Sequence, residues 1–190
     1  MKQKIAIFLS GTGSNARTIC NYFREHDRIE VALLLSNKEN SGAKDISEKF
    51  NIPYFIFNRE QFYQTDDVLN KLEYYKINTL VLAGFLWLIP SNLIEKYPNN
   101  IINIHPALLP KYGGKGMHGK FVHEAVWQNK EKESGITIHL CNTEYDKGKI
   151  LFQKEVLINS EDTPEAIAKK VLALEHHYFP KVIEDYLLSE

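Results

Sequence analysis

An amide and an imidazole stand two residues apart, Asn103 and His105, at the end of the apolar run Ile101-Ile102 and directly before Pro106. On an extended segment, side chains at i and i+2 project to the same side. Pro106 favours extended geometry for His105 and ends the strand. A neutral hydrogen-bond donor and a group that titrates near pH 7 are therefore presented together at a strand's C-terminal end, where open α/β sheets bind ligands. For a lone Asn-x-His the commoner reading is a core histidine beside an edge asparagine, so the surrounding motifs must decide.

A third member is Asp146, in the polar stretch Cys141-Asn142-Thr143-Glu144-Tyr145-Asp146-Lys147-Gly148. Beside His105 its carboxylate would favour the imidazolium and orient the ring; alone, an Asp-x-Gly is usually a turn. His139 is a rival imidazole, but Ile136, Ile138 and Leu140 around it read as a strand interior and make it structural. His118, His123, His176 and His177 have no ligand spacing, and no metal is expected.

The first strand runs into Ser10-Gly11-Thr12-Gly13-Ser14-Asn15-Ala16. Glycines allow a tight turn, and amides at the following helix start attract an anion such as phosphate. Gly11-x-Gly13-x-x-Ala16 also fits a dinucleotide fingerprint, so an NADP-dependent reductase is the alternative to weigh. That reading wants an acid at the end of the second strand; the chain has Ser36-Asn37-Lys38 there, and Glu30 lies at the other end. No Gly-Lys-Ser/Thr follows, which excludes a Walker-type loop.

Positioning these groups requires an α/β fold: a mostly parallel, twisted sheet with helices on both faces. Strands are expected near 5–10, 29–36, 53–57, 79–84, 101–105, 135–140 and 150–157. Helices are expected near 15–25, 44–50, 65–75, 92–97 and 122–128. A last helix opens at the Thr163-Pro164 cap and is kinked or broken at Pro180. Runs such as Val31-Ala32-Leu33-Leu34-Leu35 are continuous rather than alternating, as in strands covered on both faces. The reading is one domain over 1–190, with a Rossmann-like nucleotide-binding half to about residue 100 and a catalytic half after it.

The 190 residues are 44% apolar and carry a formal charge of -1, which supports neither a nucleic-acid nor an anionic-membrane partner. Cys20 and Cys141 are far apart and suggest free thiols in a reducing compartment. Met1-Lys2-Gln3-Lys4 lacks the form of a leader, and the apolar run 80–89 is shorter than the roughly 20 residues of a membrane helix. A soluble, cytoplasmic protein is expected.

Gly13-Ser14-Asn15, Ala83-Gly84-Phe85, Asn103-x-His105-Pro106, Leu108-Leu109-Pro110-Lys111-Tyr112 and Asp146-x-Gly148 occur in this order. Together they resemble the folate-dependent formyltransferases, most of all the branch that acts on glycinamide ribonucleotide in purine synthesis. The resemblance implies transfer of a formyl group from 10-formyltetrahydrofolate to the glycinamide amine, with no metal, by a monomer or homodimer. It assigns Asn103, His105 and Asp146 as the catalytic trio, with Asn103 and an imidazolium at His105 stabilising the tetrahedral oxyanion. It places the substrate phosphate at Gly13, Ser14 and Asn15 and the ribose at Glu175. Folate contacts fall to Leu86, Trp87, Leu88 and Ile89, to the loop of Asn142, Thr143, Glu144, Tyr145 and Asp146, to Asn103, and to Arg59 for the tail. The family commonly has an arginine where this chain has Trp87. Relatives that formylate methionyl-tRNA have a further basic domain, which this chain is not expected to share. Those that formylate amino sugar nucleotides generally lack the Gly-Ser-Asn loop and are the nearer alternative. A non-catalytic sensor would be expected to have lost part of the trio.

Overall fold

The computed structural model describes residues 2–189. In chain order the elements are β1 (Gln3–Leu9), α1 (Ser14–Tyr22), β2 (Ile29–Ser36), α2 (Ala43–Phe50), β3 (Tyr54–Ile56), α3 (Arg59–Tyr63) and α4 (Asp67–Tyr74). Then follow β4 (Thr79–Leu82), α5 (Ser91–Lys96), β5 (Ile101–His105), α6 (Lys120–Gln128), β6 (Glu133–Leu140), β7 (Ile150–Leu157) and α7 (Pro164–Leu188). The strands form one seven-stranded sheet in the order β3-β2-β1-β4-β5-β6-β7. β1 pairs in parallel with β2 and β4, and β2 with β3, whereas β6 and β7 are antiparallel. The expected α/β class with a mostly parallel sheet is the fold observed.

The chain divides into two compact units, the first ending at Ile102 and the second covering Asn103–Ser189. In the first, Ile5, Ala6, Ile7, Phe8 and Leu9 are wholly buried, as are Leu33, Leu34 and Leu35. Their unbroken apolar runs are what a strand covered on both faces requires. The order β2-β1-β4 reverses direction at β1, and the backbone just beyond β1 and β4 is tied together there, Ser10 N donating to the Gly84 carbonyl at 3.1 Å. That is the switch point at which open sheets place ligands.

Two details of this unit depart from the sequence reading. The helix expected over 65–75 is α4, but a short helix that was not expected, α3, precedes it. α3 is nucleated by a capping box: Asn58 Oδ1 accepts from Gln61 N at 2.9 Å while Gln61 Oε1 accepts from Asn58 N at 3.0 Å. The box satisfies two end groups that a five-residue helix has few other means to satisfy. β4 also stops at Leu82, before Gly84, whose φ of 76° is incompatible with a strand.

In the second unit α7 packs on α6, β6 and β7. Thr163 caps it, its hydroxyl accepting from Ala166 N, and Pro164 opens the first turn. The helix does not break at Pro180 but runs on to Leu188. Phe179, Pro180 and Ile183 are all buried, so tertiary packing holds the turns on either side of the missing amide.

Candidate functional site

β5 carries Asn103 and His105 into the second unit, and His105 is only 4% exposed. Its Nε2 donates to the Tyr112 carbonyl at 2.7 Å, and its Nδ1 faces Asp146 Oδ2 at 3.6 Å. The segment after Pro106 is fastened to β6 and β7. Thr137 Oγ1 accepts from Leu109 N at 3.0 Å and donates to the Ala107 carbonyl at 2.7 Å, and Gln153 Nε2 donates to the Leu109 carbonyl at 2.9 Å. Asp146 lies in the 141–149 connection between β6 and β7, with φ 55° and its Oδ2 accepting from Gly114 N at 2.8 Å. The three residues singled out from the sequence are thus brought into one cluster.

A fourth side chain belongs to it. His139, read from the sequence as structural, has Nε2 3.0 Å from Asn103 Nδ2 and 3.6 Å from Asp146 Oδ1. Its Nδ1 donates to the Leu140 carbonyl at 2.9 Å, so Nε2 is the nitrogen left to accept from the Asn103 amide. One Asn103 amide hydrogen is used in this way. Burial in a strand is compatible with either role; what decides it is that β6 brings His139 against Asn103.

Opposing influences act on the charges of this cluster. Asp146 was expected to keep His105 protonated. Burial is the larger influence and holds the His105 imidazole below its ordinary value; the Asp146 carboxylate and the Tyr112 carbonyl pull upward, and His139 adds to the lowering. For Asp146, burial works upward, but His139, the His105 charge and the Gly114 amide together carry the carboxyl below its usual range. Both His105 ring nitrogens thus face an oxygen acceptor, the Tyr112 carbonyl at Nε2 and the Asp146 carboxylate at Nδ1, while burial opposes the charged ring.

In the first unit, Gly13 is the N-cap of α1 with φ 75° and ψ 31°, a left-handed conformation natural to glycine. A Cβ there would stand 2.7 Å from Ile46 Cδ1 and 2.8 Å from Leu9 Cδ1. Ser14, Asn15 and Ala16 form the first turn of α1, where amides have no intrahelical acceptor and favour an anion. Ser10 Oγ donates to Asn37 Oδ1 at 2.7 Å and accepts from Leu86 N at 3.1 Å. The turn thereby shares a hydroxyl with the irregular segment after β4. In that segment Leu86 is exposed and Trp87 and Leu88 are half-buried, while Ile89 belongs to the core. Trp87 sits against Phe57, Phe62, Tyr63 and Phe85, with the Arg59 guanidinium 5.1 Å above its ring.

Glu175 lies mid-way along α7 and is buried. Thr143, Glu144 and Tyr145 are exposed, and Asn142 folds its own loop, accepting from Glu144 N at 2.9 Å and donating to the Lys147 carbonyl at 3.2 Å. Among the described residues no group of three or more His, Cys, Asp or Glu side chains gathers to hold a metal, and no helix is long and apolar enough to cross a membrane.

The sequence profile of the formyl transferase family matches residues 3–183. The chain belongs to that family. Phosphoribosylglycinamide formyltransferase of Bacillus subtilis is 34% identical over 97% of this chain and 95% of its own length. The chloroplastic phosphoribosylglycinamide formyltransferases of Arabidopsis thaliana and Vigna unguiculata are 39% and 36% identical, and the chain spans 64% and 60% of their lengths. Among solved structures, phosphoribosylglycinamide formyltransferase from Brucella melitensis superposes with a TM-score of 0.88 at 29% identity, covering 99% of this chain and 97% of that one. That from Bacillus halodurans gives 0.87 at 31% identity, over 98% and 96%. Membership of this family gives the Asn103–His105–Asp146–His139 cluster a chemical context, formyl transfer.

Proposed function

We propose that the protein transfers the formyl group of 10-formyltetrahydrofolate to the amine of glycinamide ribonucleotide, a step of purine synthesis. The observation that carries this reading is the buried cluster itself: an amide donor, an imidazole and a carboxylate within one unit of a formyl transferase fold. Relatives that carry the same activity in their names, one of them matched over 95% of its length, support it.

The amine attacks the formyl carbon, the C=O bond electrons move onto oxygen, and the amine nitrogen becomes positively charged. The second amide hydrogen of Asn103 is the donor for that oxygen, and His139 holds the amide in place by accepting the first. A donor of this kind in a dry site is typically worth about 3–4 kcal/mol in the transition state. His105, as the imidazolium beside Asp146, adds a positive charge near the oxyanion. With Asp146 assisting, a water carries the proton lost by the positively charged amine nitrogen to the departing folate nitrogen, as its bond to carbon breaks and the C=O bond re-forms. Gly13, Ser14 and Asn15 are assigned to the ribonucleotide phosphate and Glu175 to its ribose. Leu86, Trp87, Leu88 and Ile89, together with Asn142, Thr143, Glu144 and Tyr145, are assigned to the folate, and Arg59 to its carboxylate tail. No metal enters the reaction.

The test is direct. Purified protein given glycinamide ribonucleotide and 10-formyltetrahydrofolate should release tetrahydrofolate in step with formylated product. Formylation of an amino sugar nucleotide instead would keep the family chemistry and remove the substrate assignment. Tight NADP binding by calorimetry with no transfer to any amine would overturn the reading.

A further inference from the structure

His105 has one ring nitrogen committed to the Tyr112 carbonyl, and Tyr112 is an unusual place to find a fixed carbonyl. Its φ of 56° is in the left-handed region, uncommon and unfavourable for a bulky residue. Gly113 and Gly114 follow, so the adjoining backbone has little stiffness of its own. A cavity of about 30 Å³, lined by Lys111, Tyr112, Val126, Glu131 and Ser134 among others, leaves the Tyr112 side chain incompletely packed. Ser134 Oγ is buried and has no hydrogen-bond partner there. Something other than packing must set this carbonyl against His105.

Glu131 is that restraint. Its Oε1 accepts from the Tyr112 hydroxyl at 2.9 Å, and the same carboxylate takes Lys111 Nζ at 3.1 and 3.4 Å. Glu131 itself is anchored in the tight turn after α6, where Glu131 N donates to the Val126 carbonyl at 3.3 Å and Lys130 N to the Trp127 carbonyl at 3.0 Å. The Lys111 arm is a largely exposed ion pair of the kind that contributes little. The Tyr112 arm is a charge-assisted bond to a half-buried phenol and is the stronger of the two. Burial and the neighbouring Glu131 both raise the phenol, while the phenol and Lys111 lower Glu131, so the bond keeps its donor and acceptor across neutral pH.

We infer that Glu131 is a positioning residue for the formyl-transfer chemistry, holding Tyr112 by its hydroxyl so that the Tyr112 carbonyl fixes His105 in the Nε2-protonated form, with Nδ1 turned to Asp146. The inference rests on the proposed activity for its consequence but not for its geometry. The other groups facing or electrostatically coupled to His105 are Asp146, His139 and His123, and none of them bonds Nε2.

The experiment pairs kinetics with nitrogen-15 NMR of the histidine rings. Glu131→Ala and Tyr112→Phe should each lower kcat by about 3- to 10-fold, the loss of one such hydrogen bond, with both KM values nearly unchanged. The double variant should be no worse than either single one, because both remove the same bond. Glu131→Gln keeps an acceptor for the phenol and should restore most of the rate, which an ion-pair role for Glu131 does not allow. In the ring spectra, His105 should be Nε2-protonated in the wild type and in Glu131→Gln, and a mixture of tautomers in Glu131→Ala. An unchanged tautomer in Glu131→Ala overturns the inference, as does a rise in kcat, which would make the Tyr112 contact an obstruction. Should the wild type transfer no formyl group, the proposed activity fails while the spectra still decide the positioning.

Discussion

His105 is pulled in opposite directions, and the balance predicts what its neighbours do. Burial disfavours the imidazolium, and the Asp146 carboxylate favours it. Asp146→Asn removes the favourable half, so the His105 pKa should fall further below its ordinary 6.5. If the protonated ring is needed during turnover, the alkaline decline in activity should move to lower pH and kcat should drop by roughly 10²-fold or more. Asn103→Ala should lower kcat by a similar factor without moving that limb, because an amide does not titrate. A pH–rate profile for each variant separates the two roles. An unmoved limb in Asp146→Asn would disconnect Asp146 from His105 despite their 3.6 Å separation.

At the scale of elements, the same cluster depends on a connection whose shape is set by one close approach. Gly148 passes so near the last residue of β6 that a Cβ there would collide with the Leu140 carbonyl oxygen and carbon. Gly148→Ala must therefore displace the 141–149 connection that carries Asp146, and the rate should fall far more than the melting temperature. The contrasting change is Thr163→Ala, which removes the α7 cap bond to Ala166 N. It should cost about 1 kcal/mol of stability and leave kcat alone. Differential scanning calorimetry beside a standard assay reads both variants; equal effects of Gly148→Ala on rate and stability would contradict the argument. This division also explains what was legible beforehand. Continuous apolar runs announce β1, β2 and β5, and Asn103 and His105 follow from the two-residue period of β5. Thr163-Pro164 announces α7. The capping box of α3 is written in Asn58 and Gln61 but is too short for hydrophobic periodicity to register. His139 and Glu131 were hidden for another reason: their partners, Asn103 and Tyr112, are 36 and 19 residues away, and only the folded unit brings them together. The unbroken α7 likewise needed knowledge of which residues bury the turns around Pro180.

For the whole molecule, the histidines make stability a function of acidity. His105, His123 and His176 all have pKa values lowered from 6.5, in each case chiefly by burial, with the His105 charge adding to the effect at His123. An unfolded chain binds protons at these rings near 6.5, before the folded protein does. Their neutral forms thus contribute stability that is fully present above pH 6.5 and is lost as the pH falls toward the folded values. Asp146 has the same sign in a lower window: its carboxyl is held below 3.8, so its contribution survives moderate acid and goes only below that. The melting temperature should therefore decline steadily between about pH 7 and pH 5, with a ceiling of about 1.4 kcal/mol per pH unit for each fully linked ring. Half-exposed His176 will fall well short of that ceiling. His123 is the ring to vary, since it is buried and its Nδ1 has no hydrogen-bond partner. His123→Gln should flatten the acid slope whatever it does to absolute stability, because an amide takes up no proton on unfolding. Thermal unfolding followed across this range for both proteins makes the comparison, and a slope that is flat in the wild type or unchanged in the variant would place the acid sensitivity elsewhere.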